Sequence, residues 1–507
     1  MVSVKFTPLG AGQDVGRSCL LLTFDDRITI MFDCGAHITD KTSRVPDSSR
    51  IPDNLKAILV THYHIDHVGG LPHLTQIDEE FKSRFSGSNA PEVIMTLPTK
   101  VLSPLVAKDF SRGSNQDLYF PIHIERAFSK VRTIGLHQRY PLALAPEVFV
   151  TPVYAGHVLG AVMYIVEYRG VTVMYTGDYS FASDSQLDGA KIPPTLLPST
   201  GVDLIISEST YATSIRESPE KRAAKFVAAV EKTLEAGGVV LVPVFAIGRS
   251  QELSSIIRRS MGVGVKLYST NDSSLKANPY FRLLKSWWEN EGIGLELPDV
   301  EVLTDVKLLR KKSDDKAGEG TADNPRARPC VVFASPSMLE GGSSLEVFNE
   351  IVNDENSMVL LTGYCFKGTV GNKLIMFNSK RTRKGDRVVQ LGHGRTCQVK
   401  CQIDYVPFTG HTDSVGIKEV MRIAKPRNII LIHGEADKMG RLAKELADEH
   451  NVDVKIPVNY EELRYEFSGL EHAIQLPEDG PSIEDILDGL TDSQYRAGLL
   501  SDTSRSL

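Results

Sequence analysis

Three histidines and an aspartate fall within six consecutive residues of this 507-residue chain, in the stretch His62-Tyr63-His64-Ile65-Asp66-His67. The apolar run at residues 57–60 comes directly before them, which predicts a loop leaving a buried strand. His62 and His64 can point the same way while the chain is extended. Asp66 and His67 follow where a helix is expected to begin. Because imidazole and carboxylate are ligands that suit zinc, the stretch predicts a metal site that needs further ligands from elsewhere.

Three more candidate ligands follow other apolar runs. They are His157 in Ala155-Gly156-His157, Asp178 in Thr176-Gly177-Asp178, and His433 in Ile432-His433-Gly434. A polar residue at the end of a buried strand needs a reason to be there. A carboxylate such as that of Asp178 can bridge two cations. The complete set has seven members, which is enough for two metals roughly 3.5–4 Å apart.

The pattern of apolar runs predicts a divided β-rich domain. Short β-branched runs fill the first 210 residues and predict closely spaced, largely antiparallel strands. Helical patterns then alternate with buried strands, which is typical of βα units on a parallel sheet. Strand character returns near residue 387. We therefore predict a first part at 1–208, an inserted domain at 209–386, a returning part at 387–460 and an acidic tail at 461–507.

Composition places few further limits on function. The chain has no run of 18 apolar residues, and its start, MVSVKFTPLGAGQDVG, predicts a first strand and not a signal peptide. Its six cysteines include no C-x-x-C pair, which indicates reduced thiols. The net charge of −7 is concentrated in residues 461–507, which contain 11 acidic and 3 basic residues. The overall charge therefore neither supports nor excludes RNA as a partner.

Several longer stretches resemble one known family. They read TPLGAGQDVGRSC, AGHVLGA, YTGDY, ESTYATSIR, PVFAIGRSQEL, GYCFKGTVG and LIHGEADKM. Over roughly residues 3–460 the chain resembles the β-CASP nucleases of the metallo-β-lactamase superfamily. It is most similar to members that serve as endonuclease subunits of nuclear RNA-processing complexes. The resemblance implies an α/β fold, namely the metallo-β-lactamase αββα sandwich with an inserted parallel-sheet α/β domain, the β-CASP domain.

The resemblance also implies a role for each candidate residue. One Zn²⁺ would be held by His62, His64 and His157, and a second by Asp66, His67 and His433, with Asp178 as the bridge. Asp33 would orient a ligand histidine through a hydrogen bond. Glu208 and His411 match the pair that protonates the leaving group in the family, and Asp66 joins them as an essential residue of catalysis.

This ligand set predicts a two-metal phosphodiesterase, and the resemblance implies a zinc-dependent enzyme that cuts RNA internally. Two cations provide a nucleophilic water and stabilise charge at phosphorus. The expected products carry a 3′-hydroxyl and a 5′-phosphate. By resemblance, the protein is nuclear and acts in RNA 3′-end processing, snRNA processing or transcription attenuation, within a larger complex that includes a homologous inactive subunit. No membrane association is expected.

Five basic residues are candidates for direct contacts to RNA. Arg249 follows the stretch PVFAIG, where it can face substrate or cap a helix. The loop at residues 380–387 is basic and can contact phosphates, although a solvated loop explains it equally well. The residues of that loop concerned are Lys380, Arg381, Arg383 and Lys384.

Other functions remain open from the residues alone. One is a 5′-exonuclease of the RNase J type or an enzyme that acts on DNA. Another is a small-molecule hydrolase of the glyoxalase II kind, against which the inserted domain argues because it narrows the cleft. A third is an inactive scaffold subunit, although such proteins have lost ligands and this chain retains all seven.

Overall fold

A computed structural model describes residues 1–469, except for 39, 41, 113–116, 185–186, 246, 288–296, 311–326, 380–381 and 392–394. The described strands are β1 (Val2–Gly10), β2 (Cys19–Phe24), β3 (Ile28–Phe32), β4 (Leu55–Leu59), β5 (Glu92–Met95), β6 (Arg132–Thr133), β7 (Tyr140–Leu142), β8 (Ala145–Tyr154), β9 (Val162–Tyr168), β10 (Val171–Tyr175), β11 (Leu204–Glu208), β12 (Val239–Pro243), β13 (Leu267–Ser269), β14 (Glu301–Val302), β15 (Cys330–Ala334), β16 (Met358–Leu361), β17 (Val388–Gln390), β18 (Thr396–Gln398), β19 (Gln402–Tyr405), β20 (Asn428–Ile432), β21 (Asp453–Lys455) and β22 (Leu463–Phe467). The α-helices are α1 (Ile65–Val68), α2 (Leu71–Gln76), α3 (Leu97–Phe110), α4 (Pro121–Ser129), α5 (Pro219–Glu235), α6 (Arg249–Met261), α7 (Asp272–Leu283), α8 (Gly342–Ile351), α9 (Val370–Ser379), α10 (Ser414–Ala424) and α11 (Ala436–His450).

Two seven-stranded sheets pack face to face. The first has the order β22-β1-β2-β3-β4-β5-β6 and the second the order β21-β20-β11-β10-β9-β8-β7. The strands β1 to β3 pair antiparallel, whereas β3 to β6 pair parallel. Side chains from both sheets fill one core between them, including Phe6, Phe32, Tyr164 and Ile206. Full burial of such side chains stabilises the fold by about 1.5–3 kcal/mol each.

Helices cover the outer face of each sheet. Leu74, Leu102 and Ile124, from α2, α3 and α4, are buried in the helical layers that lie against the sheets. Ile417 of α10 and Leu442 of α11 pack in the core on the outer face of the second sheet. The layers are therefore helix, sheet, sheet and helix, which confirms the predicted αββα sandwich.

The inserted domain is built on a parallel sheet. Its six strands have the order β14-β13-β15-β12-β16-β19, and every pairing between them is parallel. Apolar side chains of α5 and α6 pack on one face, and those of α8 and α9 on the other. Both faces are covered, which explains why β12 reads as an uninterrupted apolar run. The predicted parallel α/β insertion is confirmed.

Two predicted domain limits differ from the strand pairings. We predicted that the first domain returns at residue 387, but β19 pairs with β16 of the inserted sheet. The tail was predicted from residue 461, but β22 pairs antiparallel with β1. Strand partners depend on register across distant segments, which local patterns do not encode. We therefore propose that the return follows residue 405 and that the first domain extends through residue 467.

Two other expectations concern membranes and thiols. Within the described ranges, no helix has both the length and the apolar composition needed to cross a bilayer. All six cysteines are free thiols, and five of them are buried. The cysteines therefore act as small apolar side chains of the cores.

Candidate metal centre

The predicted ligands gather where strands of both sheets end. The strands β3, β4, β8, β10 and β20 are followed within three residues by, respectively, Asp33, His62, His157, Asp178 and His433. Asp66 and His67 lie on the single turn α1, and Glu208 is the last residue of β11. The carboxyl ends of these strands share one edge of the sandwich, so segments far apart in sequence meet there.

The backbone at this edge is bent in an unusual way. Asp33 and His433 have φ angles of 58° and 53°, in the left-handed region that residues other than glycine rarely adopt. Gly177 has φ 51°, and a Cβ atom there would lie 2.7 Å from Cγ2 of Thr61. Strained backbone of this kind costs on the order of 1–3 kcal/mol per residue and is concentrated at functional sites.

Three histidines and Asp178 form a first group of candidate ligands. Nδ1 of His64 lies 3.0 Å from Nε2 of His62 and 3.0 Å from Nε2 of His157. The two Nε2 atoms are each 3.7 Å from Oδ2 of Asp178. All four ligand atoms lie within 4.8 Å of one another, which is compatible with a single bound cation.

A second group lies on the other side of Asp178. It consists of Asp66, His67 and His433, whose ligand atoms also lie within 4.8 Å of one another. Nε2 of His67 is 3.2 Å from Oδ2 of Asp178, and Nδ1 of His433 is 3.6 Å from its Oδ1. Asp178 therefore contacts both groups, as a bridging ligand must.

The protonation of the three histidines in the first group fits a bound divalent cation. Burial lowers the pKa values of His62 and His157 well below the ordinary value and that of His64 to about 4, so the three imidazoles are neutral and can donate lone pairs. Oδ1 of Asp178 is buried without a hydrogen-bond partner in the described part of the chain. Because buried oxygens are normally paired, a cation is the natural partner for this one.

We expect metal removal to lower the melting temperature of the protein. Cations bound to the folded centre and not to the unfolded chain stabilise by about 4 kcal/mol when free metal is a thousandfold above the dissociation constant. Differential scanning fluorimetry with and without a strong chelator measures the shift, and added Zn²⁺ should reverse it. An unchanged melting temperature in protein shown to have lost its metal would contradict a structural contribution of the centre.

Asp33 supports the centre through His67. Oδ2 of Asp33 lies 2.8 Å from Nδ1 of His67, which leaves Nε2 of that ring facing Asp178. Thr61 donates its backbone N–H to Oδ1, and Tyr175 donates its hydroxyl to Oδ2 at 2.8 Å. Burial opposes protonation of His67, but Asp178 and Asp33 outweigh it and raise its pKa. A carboxylate in this position fixes the tautomer and orientation of a ligand histidine.

Tyr175→Phe should weaken zinc binding, and with it activity, about tenfold, because the loss of such a supporting hydrogen bond typically costs 10–100-fold. Zinc competition with a chromogenic chelator and RNA cleavage rates measure the effect. Tyr168→Phe is a matched control, since this core tyrosine donates its hydroxyl to Asp25 and not to Asp33. Equal zinc affinity in the two variants would show that the bond to Asp33 does not support the centre.

Glu208 and His411 form a hydrogen-bonded pair beside Asp178. Nδ1 of His411 lies 2.9 Å and 3.1 Å from the two carboxylate oxygens of Glu208 and 3.6 Å from Oδ2 of Asp178. The backbone N–H of Tyr179 and the hydroxyl of Thr210 donate to the same carboxylate. Burial lowers the pKa of His411, but the charges of Glu208 and Asp178 outweigh it and raise the pKa to about 9. Asp178, Glu208, His411 and His433 also form a third group with metal-ligand spacing.

An arginine holds the loop that carries His411. The guanidinium of Arg216 donates hydrogen bonds to the backbone carbonyls of His411 and Thr409, and its backbone N–H donates to Asp413 at 3.0 Å. Asp413 is in turn the N-cap of α10. This contact joins the start of the inserted domain to the His411 loop.

The structure describes the side chains of two of the five residues that were predicted to contact RNA. Arg249 begins α6 and forms an ion pair with Glu252. Arg383 is exposed before β17. Lys380 and Arg381 lie outside the described residues, and the side chain of Lys384 is not described.

Several residues of the site were not identified from the sequence. Tyr175 and Arg216 act as described above, and Thr210 also lies 3.0 Å from Nδ1 of His433. The ring of Phe245 lies near His64, with 6.1 Å between ring centroids. The stretches ESTYATSIR and PVFAIGRSQEL contain three of these four residues, but nothing in their composition indicates which distant atoms they meet.

The αββα sandwich and its histidine-rich strand ends define the class, a metallo-β-lactamase-type hydrolase. Three family models match: a metallo-beta-lactamase superfamily domain at residues 21–202, a Beta-Casp domain at 250–374, and a Zn-dependent metallo-hydrolase RNA specificity domain at 396–457. The chain belongs to the β-CASP family of the metallo-β-lactamase superfamily and is a metal-dependent nuclease.

Similar proteins span most of the chain. Integrator complex subunit 11 of Danio rerio is 35% identical over 476 residues, which covers 91% of this chain and 74% of that protein. The Gallus gallus protein of the same name is 36% identical with the same coverage. Cleavage and polyadenylation specificity factor subunit 3-II of Arabidopsis thaliana is 35% identical over 90% of this chain and 72% of its own length. The resemblance to subunits of the Integrator complex and of the cleavage and polyadenylation specificity factor is confirmed.

Proposed function

We propose that this protein is a zinc-dependent RNA endonuclease that leaves a 3′-hydroxyl and a 5′-phosphate. Two Zn²⁺ ions would be held with Asp178 as the shared ligand. The other ligands would be His62, His64 and His157 for one ion, and Asp66, His67 and His433 for the other. The observation that supports this best is the contact of the Glu208–His411 pair with Asp178, because it sets a proton donor directly beside the candidate metal centre.

The two cations, when bound, supply an activated water and neutralise charge on the transferring phosphate. His411 acts on the other side of the reaction. Glu208 accepts a hydrogen bond from Nδ1 of His411, so the proton on Nε2 is free to pass to the departing 3′-oxygen. The neutral imidazole that remains keeps its Nδ1 proton toward Glu208, and solvent restores the lost one. Arg216 holds the His411 loop in place for this transfer.

We further propose that the protein works inside a nuclear RNA-processing assembly. Its relatives are named as subunits of the Integrator complex and of a cleavage and polyadenylation factor. A larger complex, including a homologous inactive subunit, would supply the choice of transcript in snRNA processing, 3′-end processing or transcription attenuation. The match to an RNA specificity domain at residues 396–457 supports RNA as the substrate.

A covalently closed circular RNA tests the proposal, because only an endonuclease can open it. The zinc-loaded protein, alone and assembled with a homologous partner subunit, should convert the circle to a linear product with a 5′-phosphate. Asp66→Ala should abolish this conversion while the protein stays folded. Digestion of linear RNA from a free 5′ end, with circles left intact, would favour the RNase J-like exonuclease instead. If the zinc-loaded assembly cleaved neither RNA, the result would favour the alternative that the protein is an inactive scaffold subunit.

A further inference from the structure

An exposed phenylalanine lies next to the candidate metal centre. Phe245 follows β12 of the inserted sheet, and 40% of its surface is exposed. Its neighbours Val244 and Ile247 are each 3% exposed and anchor the loop in the core. The ring of Phe245 is therefore not needed to hold the loop down, and its exposure calls for another explanation.

This ring lies beside His64 of the first ligand group. The centroids of Phe245 and His64 are 6.1 Å apart, with 39° between the ring planes. Tyr63 lies between His64 and this loop: its ring centroid is 5.6 Å from that of His64, and its hydroxyl would lie 3.0 Å from a Cβ atom at Gly248. An aromatic surface is thus held at one side of the site where the phosphate would be cut.

The topology of the inserted sheet places the loop where open α/β sheets bind ligands. Such sheets bind at the carboxyl ends of their strands, where the strand order reverses. Here the chain leaves β12 toward β13 on one side and later crosses to β16 on the other side of β12. Phe245 and Arg249 come from the loop and helix that follow β12 at this switch point. Arg249 lies at the same switch point and is paired with Glu252.

We propose that Phe245 is the stacking surface for the base of a nucleotide adjacent to the cleaved phosphate. The inference rests on the proposed function and narrows its substrate class to RNA that is unpaired at the cleavage point. A base in a duplex is stacked between its neighbours and cannot offer a face to a protein ring, whereas a base of single-stranded RNA can. Stacking on an aromatic ring accepts any base, which suits an enzyme whose choice of transcript comes from partners.

The test uses intact RNA and a set of RNAs that each lack the base of one nucleotide next to the cleaved phosphate. Phe245→Ala should lower kcat/KM on intact RNA about tenfold, within the range of base–aromatic stacking. Removal of the stacked base should lower the wild-type value by the same factor and the variant value no further, because each change removes the same contact. Phe245→Trp should retain the wild-type value, and Phe245→Leu should behave like Phe245→Ala.

Controls separate stacking from folding and from the proposed function itself. Zinc content and melting temperature should be unchanged in all Phe245 variants. Phe120→Ala removes another exposed phenylalanine, whose ring contacts His123, and should leave kcat/KM unaltered. The inference would be overturned if the losses from the variant and from base removal multiplied at every position. It would also be overturned if Phe245→Leu or Phe245→Ala had the wild-type kcat/KM. Wild-type protein that cleaves no RNA would overturn the proposed function before any variant is compared.

Discussion

Asp178→Asn lowers RNA cleavage by at least about 10³-fold and reduces the bound zinc by one equivalent or more. Asp178 contacts ligand atoms of both groups, with 3.2 Å to His67 and 3.7 Å to His62. Asparagine keeps the shape but removes the charge that a bridge between two cations requires. The two cations stabilise charge in the transition state by several kcal/mol. Losing that stabilisation accounts for an effect of about 10³-fold, because about 1.4 kcal/mol of activation free energy changes the rate tenfold. Single-turnover cleavage and elemental analysis of zinc measure the two effects.

A second buried aspartate of the same sheet provides the control. Asp203 precedes β11, at the opposite end from the ligands, and pairs with Arg427 while accepting the backbone N–H of Thr172. Asp203→Asn should lower the melting temperature without loss of zinc or of activity in folded protein. If Asp178→Asn kept its zinc and its rate, the bridging role would be wrong. If both variants lost zinc equally, the loss would reflect general destabilisation.

His411→Ala lowers the cleavage rate by about 10²–10⁴-fold, the usual contribution of a general acid, and leaves the zinc content unchanged. The side chain of His411 is 19% exposed, and Glu208 holds its Nδ1 at 2.9 Å, so Nε2 remains for the substrate. Glu208→Gln should give a smaller loss, because glutamine retains one hydrogen-bonding oxygen but not the negative charge. Loss of zinc from His411→Ala would instead identify His411 as a ligand of the third group.

A substrate with sulphur in place of the departing 3′-oxygen makes this test specific. A thiolate leaves without being protonated, because the pKa of a thiol lies far below that of an alcohol. The ratio of wild-type to His411→Ala rates should therefore fall close to one on this RNA. Asp178→Asn should show no such recovery, since its defect does not concern the leaving group. An undiminished ratio for His411→Ala would show that the histidine acts in another way.

The sequence predicted the architecture correctly where the patterns are local. Apolar runs revealed the strands, and the change from strand runs to alternating helices and strands revealed the inserted parallel sheet. The predicted limits near residues 387 and 461 differ from the pairings of β19 and β22. Both strands are short and pair with segments far away in the chain. Their sheet membership depends on those partners, not on their own composition.

The sequence by itself determined which chemistry the chain can support. His62, His64, Asp66 and His67 stand within six residues at one strand end, so their proximity required only local geometry. Only the tertiary structure decided which residues from distant parts of the chain support these ligands through hydrogen bonds. The hydroxyl of Tyr175 reaches Asp33 across 142 residues, and the guanidinium of Arg216 reaches the carbonyl of His411 across 195. Such contacts form because strands from both sheets end at one edge, and that convergence is set by the packing of the whole sandwich.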